Sequence, residues 1–470
     1  DRMDQNPGAG ERLRLVARPR PAVLPASPQQ ARLWFLSQLS GAGSEYSMTD
    51  AIILRGALDV AALRRAVSAV VARHESLRTR FAAGEKGPEQ IIDDFASADL
   101  ACVDLTGDVE VLDAVRDLAG QPFDLADGPL VRFHLLQVQP EYHVLAVTLH
   151  HIITDGWSNG VLYRDLAAFY NAEASGAGQV PEPLQVHYAD YQLWQQEWLE
   201  KGALEAGLTH WGTALEGIPD RLDLPTDRPR PPVQTFDAEV VTGNLDAATT
   251  AKLRALAARF DATLYQTLLA GFAVAVARAS GQDDFVIGAA IANREDATLE
   301  PLIGFFVNLL PMRMRPEADL KVGDFLRQVR ETTLAAYRHQ AVSFERIVEE
   351  ISPARDLSHH PVFQVTFTLQ NALGQAAEMA GLESEPLSLG APKVRFDLEA
   401  NVTESADGVI FTWLYNTGLF DAWRIEGLMG QMIDVLSSFA DGVDGTILEL
   451  APPAPKLVDR VVGDFNNTDA

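Results

Sequence analysis

The sequence predicts a mixed α/β fold, α+β in its arrangement, built in two halves. Its 470 residues are enough for two domains, and a hydrophobic content of 47% can supply a core to each. The apolar run 142–149 is typical of a buried strand, and residues 158–170 carry apolar side chains at helical spacing. The second half repeats this succession of strands and helices, although it contains no residue-level repeat.

Start signals and apolar spacing define the elements of the first half. Pro28 after Ser27 is typical of a helix start, Asp59 can cap a second helix, and Ser158 can cap the helix that follows the run 142–149. The predicted elements are, in order, a helix from Pro28, a strand at 51–55, a helix from Asp59, a hairpin of strands 130–138 and 142–149, and a helix at 158–170.

The second half opens with a Trp-rich helix from Tyr188, whose tryptophans are expected in the core. The proline-rich stretch 224–233 is too short for a free linker and is interpreted as a rigid crossing within this half. The alternation of strand-type and helix-type spacing continues from there. The predicted elements are a strand at 238–245, helices at 246–260 and after Thr263, a strand at 285–291, a helix at 322–340, a strand at 363–369, a strand pair around 409–415 and a helix at 425–439.

Composition excludes several classes of function. A net charge of −27 and a pI near 4.7 argue against a nucleic-acid partner. The single cysteine, Cys102, rules out an internal disulfide and a cysteine-based metal site, and its apolar neighbours predict a small core residue. No apolar run of 18 residues and no signal peptide occur, so we expect a cytoplasmic protein with no membrane partner.

The stretch from His150 to Ser158 is the strongest candidate for chemistry. It places two histidines, an aspartate and a glycine on the turn between a predicted strand and a predicted helix, where a rigid scaffold can hold a side chain over a cleft. His151 is the only one of the ten histidines with an aspartate four residues later. Histidine suits general-base catalysis near neutral pH. Asp155 could fix the ring or the local backbone, and Gly156 would let a substrate approach the main chain.

A second candidate lies in the glycine- and aromatic-rich run 302–311. Asn308 is its one amide in an apolar setting, and a buried asparagine needs hydrogen-bond partners. The residues leave two interpretations open: Asn308 is a satisfied structural amide, or it contacts a substrate.

Seven segments in a fixed order resemble the condensation domains of nonribosomal peptide synthetases. The resemblance covers about residues 24–468, with two departures: Ser27-Pro28-Gln29-Gln30 in the first segment and Ala341-Val342-Ser343 in the sixth. The segments are Ser27–Leu36, Arg73–Phe81, Leu149–Ser158, Tyr188–Trp194, Ile303–Arg313, His339–Glu345 and Arg355–Pro361.

The resemblance implies two chloramphenicol-acetyltransferase-like subdomains in a V-shaped pseudo-dimer with an active-site tunnel between them. The expected boundaries are an N-terminal linker at 1–23, subdomains at 24–185 and 186–455, and a C-terminal linker at 456–470 toward a following adenylation domain. Donor and acceptor peptidyl carrier proteins would present acyl groups on 4'-phosphopantetheine arms. The domain would need no metal and no cofactor of its own, would act as a monomer, and would form peptide bonds in secondary metabolism.

The same resemblance assigns roles to residues. His151 would take a proton from the attacking amine or position it, with His150 as a structural neighbour, and the Gly156 N–H is a candidate donor to the oxyanion. Trp157 and Ser158 would line the tunnel, and Asn308 stays a candidate substrate-binding residue. Asp155 is expected to pair with an arginine, Arg294 in preference to Arg78, that holds the loop rigid.

The sequence leaves two alternative functions open. An epimerising domain would share the fold and both histidines, and a non-catalytic docking platform for another enzyme is a second alternative. The sequence after Asp155 favours the condensing branch, with a slight preference for an L-configured donor. Cyclising relatives carry Asp in place of His150, and plant-type acyl-CoA transferases need an Asp-Phe-Gly-Trp-Gly stretch that this chain lacks.

Overall fold

The computed structural model describes residues 14–40, 46–95, 97–105, 110–176, 179–353, 356–370, 378–390, 393–442 and 444–450. Most of the two predicted linkers and Arg355 of the seventh segment lie outside these residues. The elements of the first half are β1 (Leu24–Pro25), α1 (Pro28–Ser40), β2 (Ser47–Arg55), α2 (Val60–Arg73), β3 (Thr79–Gly84), β4 (Gly87–Ile92), β5 (Leu100–Asp104), α3 (Val111–Ala119), β6 (Val131–Gln139), β7 (Tyr142–His150) and α4 (Gly156–Ser175).

The remaining elements form the second half. They are α5 (Tyr188–Trp198), α6 (Leu204–Ala214), β8 (Ala238–Asp246), α7 (Ala247–Arg259), α8 (Leu264–Ser280), β9 (Phe285–Ile291), β10 (Asn308–Met314), α9 (Val322–Arg338), α10 (Phe344–Ile351), β11 (Val365–Gln370), β12 (Glu383–Pro386), β13 (Leu398–Ser405), β14 (Gly408–Asn416), α11 (Ala422–Asp441) and α12 (Ile447–Leu450).

Each half is organised around an open sheet. The first has the strand order β12-β2-β7-β6-β5, and its central strand β7 pairs antiparallel with both neighbours. The predicted hairpin is therefore confirmed as β6 and β7. The second sheet has the order β10-β9-β11-β13-β14-β8. Both sheets mix parallel and antiparallel pairs, as expected for α+β folds with helices packed on the sheets.

The two halves share a strand and part of their cores. β12 belongs to the second half of the chain but pairs antiparallel with β2, with Glu385 opposite Ile53. Ile303, also from the second half, is buried in the core that α2 and α4 form on the first sheet. The division at 185/186 stays a prediction, because these contacts cross it in space.

A cavity of about 1480 Å³ lies where the halves meet. The first half contributes β2 and the start of α4, including Asp50, Gly156 and Tyr163. The second half contributes α8, α9 and the strands β9 and β11, including Gln266 and Tyr337. The cavity therefore sits beside the loop that carries the histidine motif.

Two local predictions were wrong for identifiable reasons. Asp155 caps α4, which begins at Gly156, so Ser158 is the third residue of the helix and not its cap. Cys102 is exposed, because β5 is the edge strand of its sheet and only Leu100 of its five residues is buried. The predicted helix starts at Pro28 and Asp59 are confirmed, and Trp194 is buried as expected.

Among the described residues, no single helix is long and apolar enough to cross a membrane. The sharply bent pair α7 and α8 would meet the criteria of length and composition only if it were counted as one segment. α8 is almost entirely buried in the core of the second half.

Candidate active site

The histidine motif lies on the connection from β7 to α4. β7 is buried along nearly its whole length, so it delivers His150 to a fixed place at the end of the central strand. His151 to Ile153 form one turn of 3₁₀ helix, and Asp155 then caps α4 by accepting from the backbone N–H of Ser158 at 2.8 Å. Packing and capping thus hold the loop at both ends.

His151 is oriented by its own loop. Its Nδ1 lies 2.7 Å from the carbonyl oxygen of Thr154. Because a carbonyl only accepts, Nδ1 carries the proton, and in the neutral ring Nε2 holds the lone pair. The ring of Phe305 packs against the imidazole, with centroids 4.7 Å apart. The tautomer is the one that a base acting through Nε2 requires.

A polar chain continues from Thr154 to the cavity. The Thr154 hydroxyl donates to Oδ1 of Asn159 at 3.2 Å, and Nδ2 of Asn159 donates to Oδ2 of Asp50 at 2.7 Å. Burial raises the pKa of Asp50, and the hydrogen bond from Asn159 opposes this effect. Sequence reasoning missed both residues, because Asp50 lies on a strand with no motif signal and is more than 100 residues away from its partner.

Arg395 covers the other side of the His151 ring. Its Nη1 lies 3.0 Å from Nε2 of His151. A guanidinium can only donate, so this contact uses the lone pair that the bond to Thr154 leaves on Nε2. Burial, followed by the positive charge of Arg395, lowers the pKa of His151 to about 3. No local pattern pointed to this contact, which joins residues 244 positions apart.

His150 has a structural position, as expected. Its Nδ1 accepts from the backbone N–H of Ile152 at 3.1 Å, and its ring lies between those of Tyr46 and Phe123. Burial lowers its pKa to about 4. His150 therefore stabilises the turn that presents His151.

The predicted pair of Asp155 and Arg294 is present and buried. Nη2 of Arg294 lies 3.3 Å from Oδ1 of Asp155, with both side chains at most 3% exposed. Nη1 of Arg294 donates to the carbonyl oxygen of Leu302 at 2.8 Å, and Oδ2 of Asp155 accepts from the N–H of Phe306 at 3.0 Å. Since Arg294 follows β9, this cluster fastens the loop of the first half to the second half.

Two other residues have different positions from those predicted. Arg78 does not reach Asp155; its Nη1 donates to the carbonyl oxygen of Asp93 at 2.6 Å. Ser158 is fully buried and does not line the cavity, because its hydroxyl lies 2.7 Å from Oδ1 of Asp155 and accepts from Arg294 at 2.8 Å. Ser158 is part of the clamp on the loop.

Asn308 is a satisfied structural amide and not a cavity residue. Its side chain is only 2% exposed, which leaves no surface for a substrate. Both its amide oxygen and its amide nitrogen bond to the backbone, so the expectation of a substrate contact was wrong. The partners are the carbonyl oxygens of Gln340 and Val342 and the N–H groups of Leu309 and Phe344.

Gly156 and Trp157 line the cavity, as predicted for Trp157. Nε1 of Trp157 donates to the carbonyl oxygen of Glu300 at 3.0 Å, which fixes the indole. A Cβ on Gly156 would meet no atom within 4 Å, so packing does not require glycine there. Gly156 leaves open space at the first residue of α4, where the backbone N–H has no partner within the helix. His151 itself does not line the cavity.

A family model for the condensation domain matches residues 21–454. The chain belongs to the condensation-domain family. The predicted resemblance and mixed α/β fold class are thereby confirmed. Among the described residues of this condensation domain, no group of three or more His, Cys, Asp or Glu side chains could hold a metal ion.

Curated relatives are large synthetases or parts of them. One component of the linear gramicidin synthase of Brevibacillus parabrevis is 37% identical over 460 residues, which is 96% of this chain but 6% of that protein. Malpinin synthetase of Mortierella alpina is 39% identical over 413 residues, 87% of this chain and 5% of that protein. The condensation domain thus spans a small fraction of each relative.

Solved structures share the fold. The X-domain in a complex of the X-domain and OxyB from teicoplanin biosynthesis has a TM-score of 0.85 and 32% identity, covering 94% of this chain and 99% of that one. AB3403, a four-domain nonribosomal peptide synthetase bound to AMP and glycine, has a TM-score of 0.80 and 26% identity, covering 93% of this chain and 35% of that one. Similar domains therefore occur both within a synthetase and in a complex with a second protein.

Proposed function

We propose that this condensation domain forms peptide bonds between two carrier-bound substrates. The nitrogen of the acceptor's α-amine attacks the carbonyl carbon of the donor thioester, the C–N bond forms and the C–S bond breaks. One amine proton passes by way of Nε2 of His151 to the departing thiolate, which leaves as the free thiol. The orientation of His151 carries the proposal, because the Thr154 carbonyl fixes the proton on Nδ1 and directs the Nε2 lone pair away from the loop.

The other residues of the loop support this chemistry by positioning. Asp155 and Arg294 hold the loop against the second half, so His151 would keep its orientation without moving during the reaction. Gly156 is the first residue of α4, so its N–H has no partner within the helix and would donate to the oxyanion of the tetrahedral intermediate. Trp157 would form part of the wall against which a substrate packs.

Substrates and partners follow from the same proposal. Donor and acceptor peptidyl carrier proteins would present their acyl groups on phosphopantetheine arms, and an adenylation domain would follow in the synthetase. The gramicidin synthase component, of which this chain matches 6%, is long enough to hold such neighbours. The L-configured donor, the monomeric state and the cytoplasmic location stay predictions.

A mass-spectrometric condensation assay tests the proposal. Aminoacyl groups are loaded on donor and acceptor carriers, and dipeptide on the acceptor is measured for the wild type, His151→Ala and the control His143→Gln. We expect wild-type product and a loss of about 10²–10⁴-fold in His151→Ala, the contribution typical of a general base. His143 lies on β7, eight positions before His151, and its substitution should leave turnover unchanged. Full activity in His151→Ala would contradict the role of His151.

A docking platform for a second protein is the alternative that specific observations favour. The X-domain with a TM-score of 0.85 was solved in a complex with OxyB. In this chain, moreover, Arg395 occupies the one lone pair of His151 that could act as a base. The same assay separates the two functions: no product from any pair of loaded carriers, with both carriers still binding, would favour the platform.

A further inference from the structure

Arg395 occupies the atom that the reaction needs. The contact between its Nη1 and Nε2 of His151, at 3.0 Å, would have to break before an amine could deliver a proton there. The cavity between the halves is lined by Asp155, Gly156 and Trp157 of the same loop, yet it does not extend to the His151 ring. In this conformation His151 has the tautomer of a base, but the guanidinium of Arg395 covers its Nε2.

One hydrogen bond holds the guanidinium of Arg395 in place. It is exposed to solvent, although burial lowers its pKa, which is the combination expected for a group inside a solvent-filled recess of the protein. Its contact with His151 is the one side-chain hydrogen bond of its guanidinium in the part of the chain that the structure describes. The titratable groups that act on it are Glu399 of β13, Tyr46, and Arg32 of α1.

Glu399 offers the guanidinium a second position. Oε1 of Glu399 accepts from the backbone N–H of Arg395 at 2.8 Å, so the carboxylate is held next to the base of the side chain. Burial raises the pKa of Glu399, and the nearby charge of Arg395 opposes this effect only in part. A carboxylate is a stronger partner for a guanidinium than a neutral imidazole is. A swing of Arg395 onto Glu399 would therefore compensate for the lost hydrogen bond.

We propose that Arg395 is a gate on His151, closed when its guanidinium caps Nε2 and open when the guanidinium moves to Glu399. Arrival of the acceptor amine at Nε2 displaces Arg395 and joins His151 to the cavity. The closed gate protects the donor thioester from water, because the base is covered until the amine is in place. Opening also moves the positive charge of Arg395 away from His151, which raises the pKa of the ring and makes it a better base. The catalytic use of the gate rests on the proposed peptide-bond formation, whereas the cap on Nε2 does not.

Chemical modification tests the cap without any substrate. Diethyl pyrocarbonate acylates an accessible imidazole lone pair, and peptide mass spectrometry reads the rate at His151 separately from the other nine histidines. Arg395→Met keeps the aliphatic stem and should raise the rate at His151 by about tenfold or more, as expected on loss of a hydrogen bond from a charged group. Arg395→Lys should fall between Arg395→Met and the wild type. Arg254→Met, which removes a cavity arginine paired with Glu404, should match the wild type.

Turnover tests the second position of the gate. Glu399→Gln removes the partner of the open state and should slow condensation by about tenfold, whereas the double variant Arg395→Met/Glu399→Gln should regain the turnover of Arg395→Met. Thermal unfolding of each variant identifies any that misfold, and Arg395→Lys serves in place of a misfolded Arg395→Met. An unchanged rate of modification in folded Arg395→Met would overturn the cap. Loss of condensation in Arg395→Met would also overturn the gate, because Arg395 would then be required for catalysis. If neither the wild type nor any variant formed product, the proposed function would be wrong. The modification rates at His151 would still show whether Arg395 covers Nε2.

Discussion

Replacing Arg294 with alanine should destabilise the protein through the carboxylate that it leaves behind. Asp155 and Arg294 are at most 3% exposed, and the variant would bury an aspartate with no cationic partner. Loss of one member of a buried ion pair costs about 3–5 kcal/mol of unfolding free energy. At roughly 2–4 °C per kcal/mol for a large domain, Arg294→Ala should lower Tm by roughly 10 °C.

The control is an arginine in an exposed ion pair. Arg254 pairs with Glu404 at the surface, and Arg254→Ala should cost less than about 1 kcal/mol, because solvent screens such pairs. Thermal and urea unfolding would be measured for both variants and for Arg294→Ala/Asp155→Asn, in which the uncompensated charge is gone. We expect the double variant to recover part of the loss. If Arg294→Ala unfolded within about 1 kcal/mol of the wild type, the N–H donors of Ser158 and Phe306 would be sufficient for Asp155 and the clamp would be refuted.

Two further predictions concern the same loop. Gly156→Leu should fold normally and lose condensation activity, because its side chain would enter open cavity space, whereas Gly212→Leu, at another helical glycine with open space, should keep activity; equal turnover in the two variants would contradict a substrate path past Gly156. His150 has a pKa near 4 in the fold and about 6.5 when unfolded, so the unfolded state takes up the proton first as pH falls. The stability it contributes is complete above pH 6.5 and is lost as pH falls toward 4, on the order of 3 kcal/mol. His150→Gln should therefore show a flatter decline of unfolding free energy over this interval, and an unchanged pH profile would mean that His150 is already solvated in the fold.

Local sequence determined the scaffold of the site. The apolar run 142–149 was enough to predict β7, and the helical spacing after it was enough to predict α4, because both signals arise within about a dozen residues. The position of His151 on the turn between them followed directly. The cap of α4 was assigned to Ser158 instead of Asp155, since both residues are common N-caps and spacing alone does not separate them.

Tertiary structure decided what each side chain of the site does. Asn308 could be a structural amide or a substrate contact until the backbone groups of residues 340–344 were seen around it. The pair of Asp155 and Arg294 joins positions 139 apart, and the cap of Arg395 on His151 joins positions 244 apart. Hydrophobic period and capping chemistry act within one element, so the sequence by itself determined where the histidine stands. The packing of the two halves decided that the positive charge of Arg395 lies against His151, because Arg395 comes from the second half of the chain.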